Sequence, residues 1–440
     1  MSSAVETRAD EVPYTLDEPA PKVLGFWDQS AFWANLGVSL FAFSGAYTVL
    51  APDEAGRPTL PILAGIVAMA VGTALGGLML GLAAAPGAKT GQPAMVLLRG
   101  LFGARLSYVP TVLNIAQLVG WGTFELIVIA DAARALWDDV PRWAFVVAAG
   151  VLTTALTIRP LGSVRLLRRY VTAAVLIALV YFYVQLLREP LPDLNHGSWG
   201  GFWTGADAAL AVSISWVPVA ADYTRHSRTS RAAFGAAAVG YSVTQIFAYV
   251  LGLLALALVA GDSTKVFDPF LNVSLGVAFF AVFVLREADQ SFANVYSTAV
   301  SIQNLVPRAD RRVLSVALGT GITVLALVFD IGDYQSFLSL IGSVFVPLLG
   351  VLAADFFLGA GRRGWDTGRA APARWSMIVA WAAGFAVYQL VYPGGVGWWA
   401  RGWTHVQSWL HFTPQSWMSA SLLSFAVAGL AALAAGRARR

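Results

Sequence analysis

The sequence predicts an all-α integral membrane protein with twelve transmembrane helices. Two observations carry that prediction. The 440 residues are 57% hydrophobic and only 12% charged, where an ordinary soluble domain carries about 25% charged residues, and the mean hydropathy is +0.65. Lys and Arg also fall unequally on alternate connections between apolar windows, as the positive-inside rule requires of a chain that crosses the bilayer repeatedly.

A span needs about 20 mostly apolar residues. The windows that qualify are 28–50, 60–84, 107–131, 142–158, 170–188, 203–221, 234–260, 273–303, 312–329, 334–357, 374–392 and 415–436. The 25 residues before them hold Glu6, Asp10, Glu11, Asp17 and Glu18 and no apolar core, so they read as a solvated tail and not as a signal peptide. One set of alternate loops carries Lys89, Arg99 and Arg105; Arg159, Arg165, Arg168 and Arg169; Arg225, Arg228 and Arg231; Arg308, Arg311 and Arg312; and Arg362, Arg363, Arg369 and Arg374. The opposite set holds Arg57, Arg134, Arg142, Arg188, Lys265 and Arg401. This places both termini in the cytoplasm, with the protein multi-pass in the cytoplasmic membrane and the lipid bilayer as its solvent. The net charge of +4 is then topological and gives no reason to invoke nucleic acid.

Several function classes drop out. There is no cysteine for thiol chemistry, and no phosphate-binding G-x-x-x-x-G-K-[ST] loop for ATP-driven transport. The four histidines lie in loops, without the H-E-x-x-H spacing of a metalloenzyme. The expectation is no enzyme and no cofactor. Between spans 11 and 12, "GVGWWARGWTHVQSWLHF" fits a loop in an interfacial aromatic belt, with a substrate-binding aromatic box as the alternative.

Polar residues inside spans are the functional candidates. Span 1 holds Asn35, Gly37, Ser39, Ser44 and Gly45, a pattern that serves either close helix packing or an interruption. Span 6 is broken by Pro218, behind Ser213, Ser215 and Trp216, since proline removes a donor and disfavours the helical conformation of the residue before it. Interrupted helices at corresponding places in two halves of a chain point to a transporter binding site. In span 3, Gln117, Trp121 and Glu125 follow at four-residue steps on one helix face. An indole beside a carboxylate suits a flat polar heterocycle, the ring stacking on Trp121 and its N–H groups donating to Glu125. The alternative is a structural Glu125 paired with Arg286. Span 8 carries Arg286, Glu287, Asp289 and Asn294. Arg286 and Glu287 read either as part of a cavity or as a pair near the outer end of a tilted helix, and Asp289 and Asn294 read as a cavity face.

"GVSLFAFSGAYTVLAP", "RGLFGARLSYVPTVLNIAQLVGW" and "SWVPVAADYTR" together resemble the nucleobase–cation symport-1 family, most nearly its hydroxymethylpyrimidine and cytosine permease branch, from about Gly25 to span 10. The resemblance implies a LeuT-type secondary transporter. Residues 26–190 and 191–360 would be inverted five-helix repeats, after a tail at 1–25 and before two further helices at 361–440. It implies a small heterocyclic substrate (pyrimidine, purine, hydantoin or allantoin) carried with Na⁺ or H⁺, an amino-acid symporter of the same fold being the nearest rival. In such proteins a helix 3 Trp stacks on the ligand and a Gln four residues later binds it. Trp121 matches the first, whereas Glu125 replaces the second. The helix 6 contact falls at Ser213 to Trp216 and the helix 8 amide at Asn294, and Ser39 joins them from span 1. The family's sodium site draws on helix 1 carbonyls, here Val38 to Phe41, and a helix 8 hydroxyl pair, here replaced by Ala288 and Asp289. Asp289 is therefore expected either to ligate Na⁺ or to carry a proton.

Overall fold

The fold is given by a computed structural model that describes residues 19–46, 60–137, 139–158, 170–191, 197–259, 265–329, 334–394 and 396–437, without the side chains of 44, 45, 172, 288, 289, 334–336 and 338. The first 18 residues, the "PDEAGRP" connection, the basic loop 159–169 and the Asp289 side chain lie outside the described set. Each of the twelve apolar windows contains helix.

The first window holds two helices, α1 (Phe26–Leu36) and α2 (Leu40–Gly45). Next come α3 (Ile62–Thr90), a short α4 (Ala94–Phe102), α5 (Tyr108–Leu136), α6 (Arg142–Ile158) and α7 (Thr172–Leu186). The sixth window is α8 (Phe202–Ile214), a 3-10 turn (Val217–Val219) and α9 (Ala220–Thr224). Then follow α10 (Ser230–Gly235), which passes through a π-turn (Ala236–Tyr241) into α11 (Ser242–Leu258), a short α12 (Asp268–Leu271), α13 (Gly276–Leu305), α14 (Arg311–Val328) and α15 (Tyr334–Ala353). The chain closes with α16 (Trp375–Val391), α17 (Gly397–Trp409) and α18 (Ala420–Arg437). Among the described residues, seven helical stretches are long and apolar enough to cross a membrane, and α6, α7 and α16 are shorter apolar helices.

Glycines set the closest packing. A Cβ placed on Gly72 of α3 would strike the backbone of Ala206, and one on Gly76 would lie 2.5 Å from Ser213 Cβ. So α3 and α8 touch almost backbone to backbone, which is how apolar helices gain dispersion contacts where no hydrophobic driving force separates them from lipid. α3 is stopped by Gly91, whose φ of +72 lets its N–H close on the Gly87 carbonyl, and Pro93 then opens α4. α13 runs along α5, so the polar faces read in spans 3 and 8 meet in the interior.

Two expectations are corrected. The Trp-rich segment after span 11 is not a loop but the helix α17, with Trp398 and Trp409 strongly exposed. The end of the N-terminal tail is not free in solvent. Leu24 pairs with Ser227 in a parallel bridge, Leu24 N–H donating to the His226 carbonyl at 2.9 Å, and Lys22 Nζ donates to the Ala88 carbonyl at 2.8 Å.

Candidate functional site

The first helix breaks where Gly37 meets its neighbour. A Cβ there would run into Thr244 Oγ1 and lie 2.5 Å from the Tyr241 carbonyl, so only glycine allows this approach. α1 therefore ends at Leu36 and α2 begins at Leu40, leaving the last carbonyls of one and the first N–H groups of the other without helical partners. α13 supplies those partners. Arg286 Nη2 donates to the Asn35 carbonyl. The Leu40 N–H donates to Glu287 Oε2 at 3.1 Å, and Ser39 Oγ donates to Glu287 Oε1 at 2.7 Å. Arg286 also pairs with Glu287 at 3.1 Å and donates to Gln290 Oε1 at 2.9 Å. Both charged side chains are fully buried, a costly state that further hydrogen bonds must offset, and the contacts named supply them at every group except Arg286 Nε, which has no partner among the described residues. This replaces two sequence readings: the pair is not at the outer end of a helix, and Arg286 takes Glu287 as its partner rather than Glu125.

The second break follows from Pro218. α8 stops at Ile214, Ser215 Oγ turns back to the Val212 carbonyl at 2.7 Å, and helix resumes at Ala220. Trp216 stands in the interruption, its ring 6.5 Å from that of Trp33 at 84°.

Between the two breaks lies a narrow cavity of about 20 Å³, room for about one water, so a ring enters it only as the walls move apart. The first break contributes Ser39 and Phe41, the second Ser215 and Trp216, and α5 contributes Trp121 and Glu125. Tyr241, Gln245, Gln290 and Asn294 complete its polar lining. Trp121 is fixed by near-perpendicular contact with Phe41 (5.7 Å, 87°) and by Phe337 (5.5 Å, 67°), a favourable aromatic geometry. The side chains of Gln290 and Asn294 face the Glu125 carboxylate, but among the described residues neither its oxygens nor Asn294 Nδ2 meets a partner at full hydrogen-bond geometry. Buried polar atoms left in that state cost free energy, and a site that receives a polar ligand is where such a cost persists.

Of the residues singled out from sequence, Ser39, Phe41, Trp121, Glu125, Ser215, Trp216 and Asn294 line this cavity. Gln117 lies one turn away and donates to Asn114 Oδ1 at 2.8 Å within α5, its Oε1 meeting no partner among the described residues, while Asn114 joins α5 to α13 by donating to Ser301 Oγ at 2.8 Å. Ser213 packs on Gly76. Val38 is buried at the first break without lining the cavity. The side chain of Asp289 lies outside the described residues. Gln245 and Tyr241 were not singled out. They sit in an otherwise apolar helix, and a polar Gln inside "SVTQIFAYV" was the available signal.

Past Val219, toward Thr224, polar contacts tie α9 to its neighbours. Tyr223 Oη donates to the Ala293 carbonyl at 2.8 Å and accepts from Ser297 Oγ at 3.0 Å. Asp222 Oδ1 accepts the Ala94 N–H at 2.8 Å, which ties α9 to the start of α4, and Arg225 Nη2 donates to Tyr296 Oη at 3.1 Å. These contacts make Asp222 and Arg225 anchors of this end. His226, beyond the span, has its pKa pulled down to about 3, by burial first and then by the neighbouring Arg225 charge.

Residues 60–366 match the sequence profile of a family described as permeases for cytosine/purines, uracil, thiamine and allantoin. No curated protein sequence matches the chain. Among solved structures, Mhp1, a nucleobase–cation symport-1 family transporter in a closed conformation with bromovinylhydantoin bound, is similar at 18% identity. The TM-score is 0.76, over 97% of this chain and 94% of that one. The inward-facing conformation of Mhp1 gives 17% identity and a TM-score of 0.67, over 98% and 93%. A Na⁺-coupled sialic acid symporter in a substrate-bound outward-open state gives 13% and 0.65, over 96% and 91%. At these identities the likeness establishes the fold, which is that of the LeuT-type transporters.

Proposed function

The chain belongs to the family of permeases for cytosine/purines, uracil, thiamine and allantoin, and from that membership we propose a secondary active transporter that imports a small pyrimidine-type heterocycle, of the hydroxymethylpyrimidine and cytosine class, by cation symport with alternating access. The protein is a multi-pass membrane protein. In this reading twelve helices cross the membrane, residues 26–190 and 191–360 form two inverted repeats with helices 11 and 12 outside them, and both termini are cytoplasmic. The coupling ion is Na⁺ or a proton.

One observation supports this reading above the others. Two helix interruptions converge on a cavity in which indole rings stand beside the Glu125 carboxylate, faced by the Gln290 and Asn294 amides. In the proposed binding mode the heterocycle stacks on Trp121, with Trp216 closing the pocket from the second break. Glu125, which only accepts hydrogen bonds when ionised, takes a ring or exocyclic N–H, and Asn294 Nδ2 donates to a ring carbonyl or nitrogen. Gln117 and Ser213 are further candidates for ligand contact, one turn behind this lining. Asp289, three residues beyond Arg286 on the same helix, is the candidate for carrying the coupling step, with the Val38 and Phe41 carbonyls the other members of a cation site.

Purine, allantoin and hydantoin permeases are variants of this reading that differ in the ring edge presented. An amino-acid symporter is a different reading, in which a carboxylate in the pocket would repel the carboxyl group of the substrate. Thermal melting of the purified protein with a panel of cytosine, uracil, hypoxanthine, allantoin, hydantoin and amino acids separates them. A ligand that binds only the folded state raises the melting temperature. The reading requires a pyrimidine-type heterocycle to do so and amino acids not to, and stabilisation by an amino acid alone would overturn it.

A further inference from the structure

In carriers with interrupted helices, unwound carbonyls and the C-terminal ends of half-helices hold the coupling cation. The resemblance places such a site at Val38, Phe41 and Asp289. At the first break of this protein those needs are met by the protein itself. The guanidinium of Arg286 serves the carbonyl end of α1 at Asn35. Both carboxylate oxygens of Glu287 serve the start of α2 through Ser39 and the Leu40 N–H, and one of them also binds Arg286. The ion pair is fully buried, so it acts through a low dielectric, where charges interact far more strongly than in water. Val38 lies three residues past Asn35, so a Na⁺ at its carbonyl would stand close to the Arg286 charge, which Glu287 already balances. At the carbonyl end of α1, Arg286 holds the place that a coupling cation would take.

We infer that Arg286 is a resident cation of the first helix break: with Glu287 it joins α1, α2 and α13 by covalently held charge, so the cavity assembles and takes its heterocycle without Na⁺. The inference rests on the transport reading for the identity of the ligand, but not for the assembly of the break. The carbonyl end of α1 and the N–H end of α2 are held by opposite charges on adjacent residues of one helix. Separating the two half-helices therefore separates the ion pair from its backbone partners. α1 and α2 are tied to α13 whether or not an ion is present in solution.

The first test uses wild-type, ligand-free protein in NaCl and in choline chloride at equal ionic strength. The inference predicts the same melting temperature in both salts, and a saturable rise with Na⁺ overturns it. This arm needs no ligand. The second uses cytosine as the probe. Its Kd agrees within about twofold between the two salts, and binding more than about tenfold tighter in Na⁺ overturns the inference. If no heterocycle binds in either salt, the transport reading fails while the first arm still decides the resident cation. In the third, Arg286→Lys, which keeps the charge, retains cytosine binding in choline, whereas Arg286→Gln weakens it about tenfold or more and gains a dependence on Na⁺. Unchanged cytosine affinity for Arg286→Gln in choline overturns the inference. Should that variant not fold, the two wild-type arms stand alone.

Discussion

Replacing Trp121 by alanine removes the platform on which the proposed ligand stacks, and the size of the effect follows from the ring. An indole buries about 200 Å² in all, of which one face is about a third. At ~25 cal/mol per Å², a lost contact of ~65 Å² costs about 1.6 kcal/mol, and aromatic stacking adds about 1 kcal/mol beyond area. The sum of about 2.6 kcal/mol corresponds to a Kd roughly 80-fold weaker. The same substitution also removes the contacts of Trp121 with Phe41 and Phe337, so the variant must be shown to be monodisperse and to melt cooperatively. Trp121→Phe is the control, because it keeps a ring between those neighbours and should lose only part of the affinity. Isothermal titration of both variants with the best heterocycle of the panel gives the answer. A Trp121→Ala protein that binds within about threefold of wild type would remove this indole from the site, and with it the reason for expecting a planar ligand.

Three further outcomes follow from particular contacts. Glu125→Gln exchanges an acceptor for a group that also donates, so it reorders the affinities of the heterocycle panel with little loss of yield, and an unchanged order would make Glu125 structural. Gly76→Ala places a methyl group 2.5 Å from Ser213 Cβ and should destabilise by about 1–3 kcal/mol, whereas Gly321→Ala, with nothing within 4 Å of the new Cβ, should be neutral or slightly stabilising. Equal melting temperatures for the two would contradict the close approach of α3 and α8. The imidazole of His226 is held neutral, with its pKa down at about 3 against about 6.5 when unfolded, so the unfolded state takes the proton first. Stability from this group is complete above about pH 6.5 and is lost as pH falls toward 3, at up to about 1.4 kcal/mol per unit. His226→Gln should flatten the fall in melting temperature between neutral and mildly acidic pH, and an unaltered slope would assign the acid sensitivity to other groups.

The membrane class and the helical windows were legible because the bilayer imposes a length and a polarity on every span. The second break was legible too, since Pro218 has a local chemical effect. At the first break, Gly37 and Ser39 were visible as unusual residues, but the reason for glycine is the Tyr241 backbone some 200 positions away, which no local pattern carries. The charges of Arg286 and Glu287 were equally plain and their purpose was not, because they serve the backbone of α1 and α2. Helical spacing groups Trp121 and Glu125, which line the cavity, with Gln117, which lies a turn away and donates to Asn114, a difference that spacing alone does not carry. Gln245 was hidden within an apolar run. α17 was read as a loop because its tryptophans suggest an interface, although their helical spacing was already present in the sequence.

Transport itself is the most direct test of the account. Purified protein in liposomes, loaded to impose in turn an inward Na⁺ gradient and an inward proton gradient, is offered radiolabelled cytosine, uracil and hydroxymethylpyrimidine, with labelled amino acids alongside. The account predicts that at least one pyrimidine accumulates above its external concentration under a cation gradient. It also predicts that accumulation collapses with an ionophore for that cation and that the Trp121→Ala protein does not support it. Gradient-driven accumulation of an amino acid with none of any heterocycle would contradict the account.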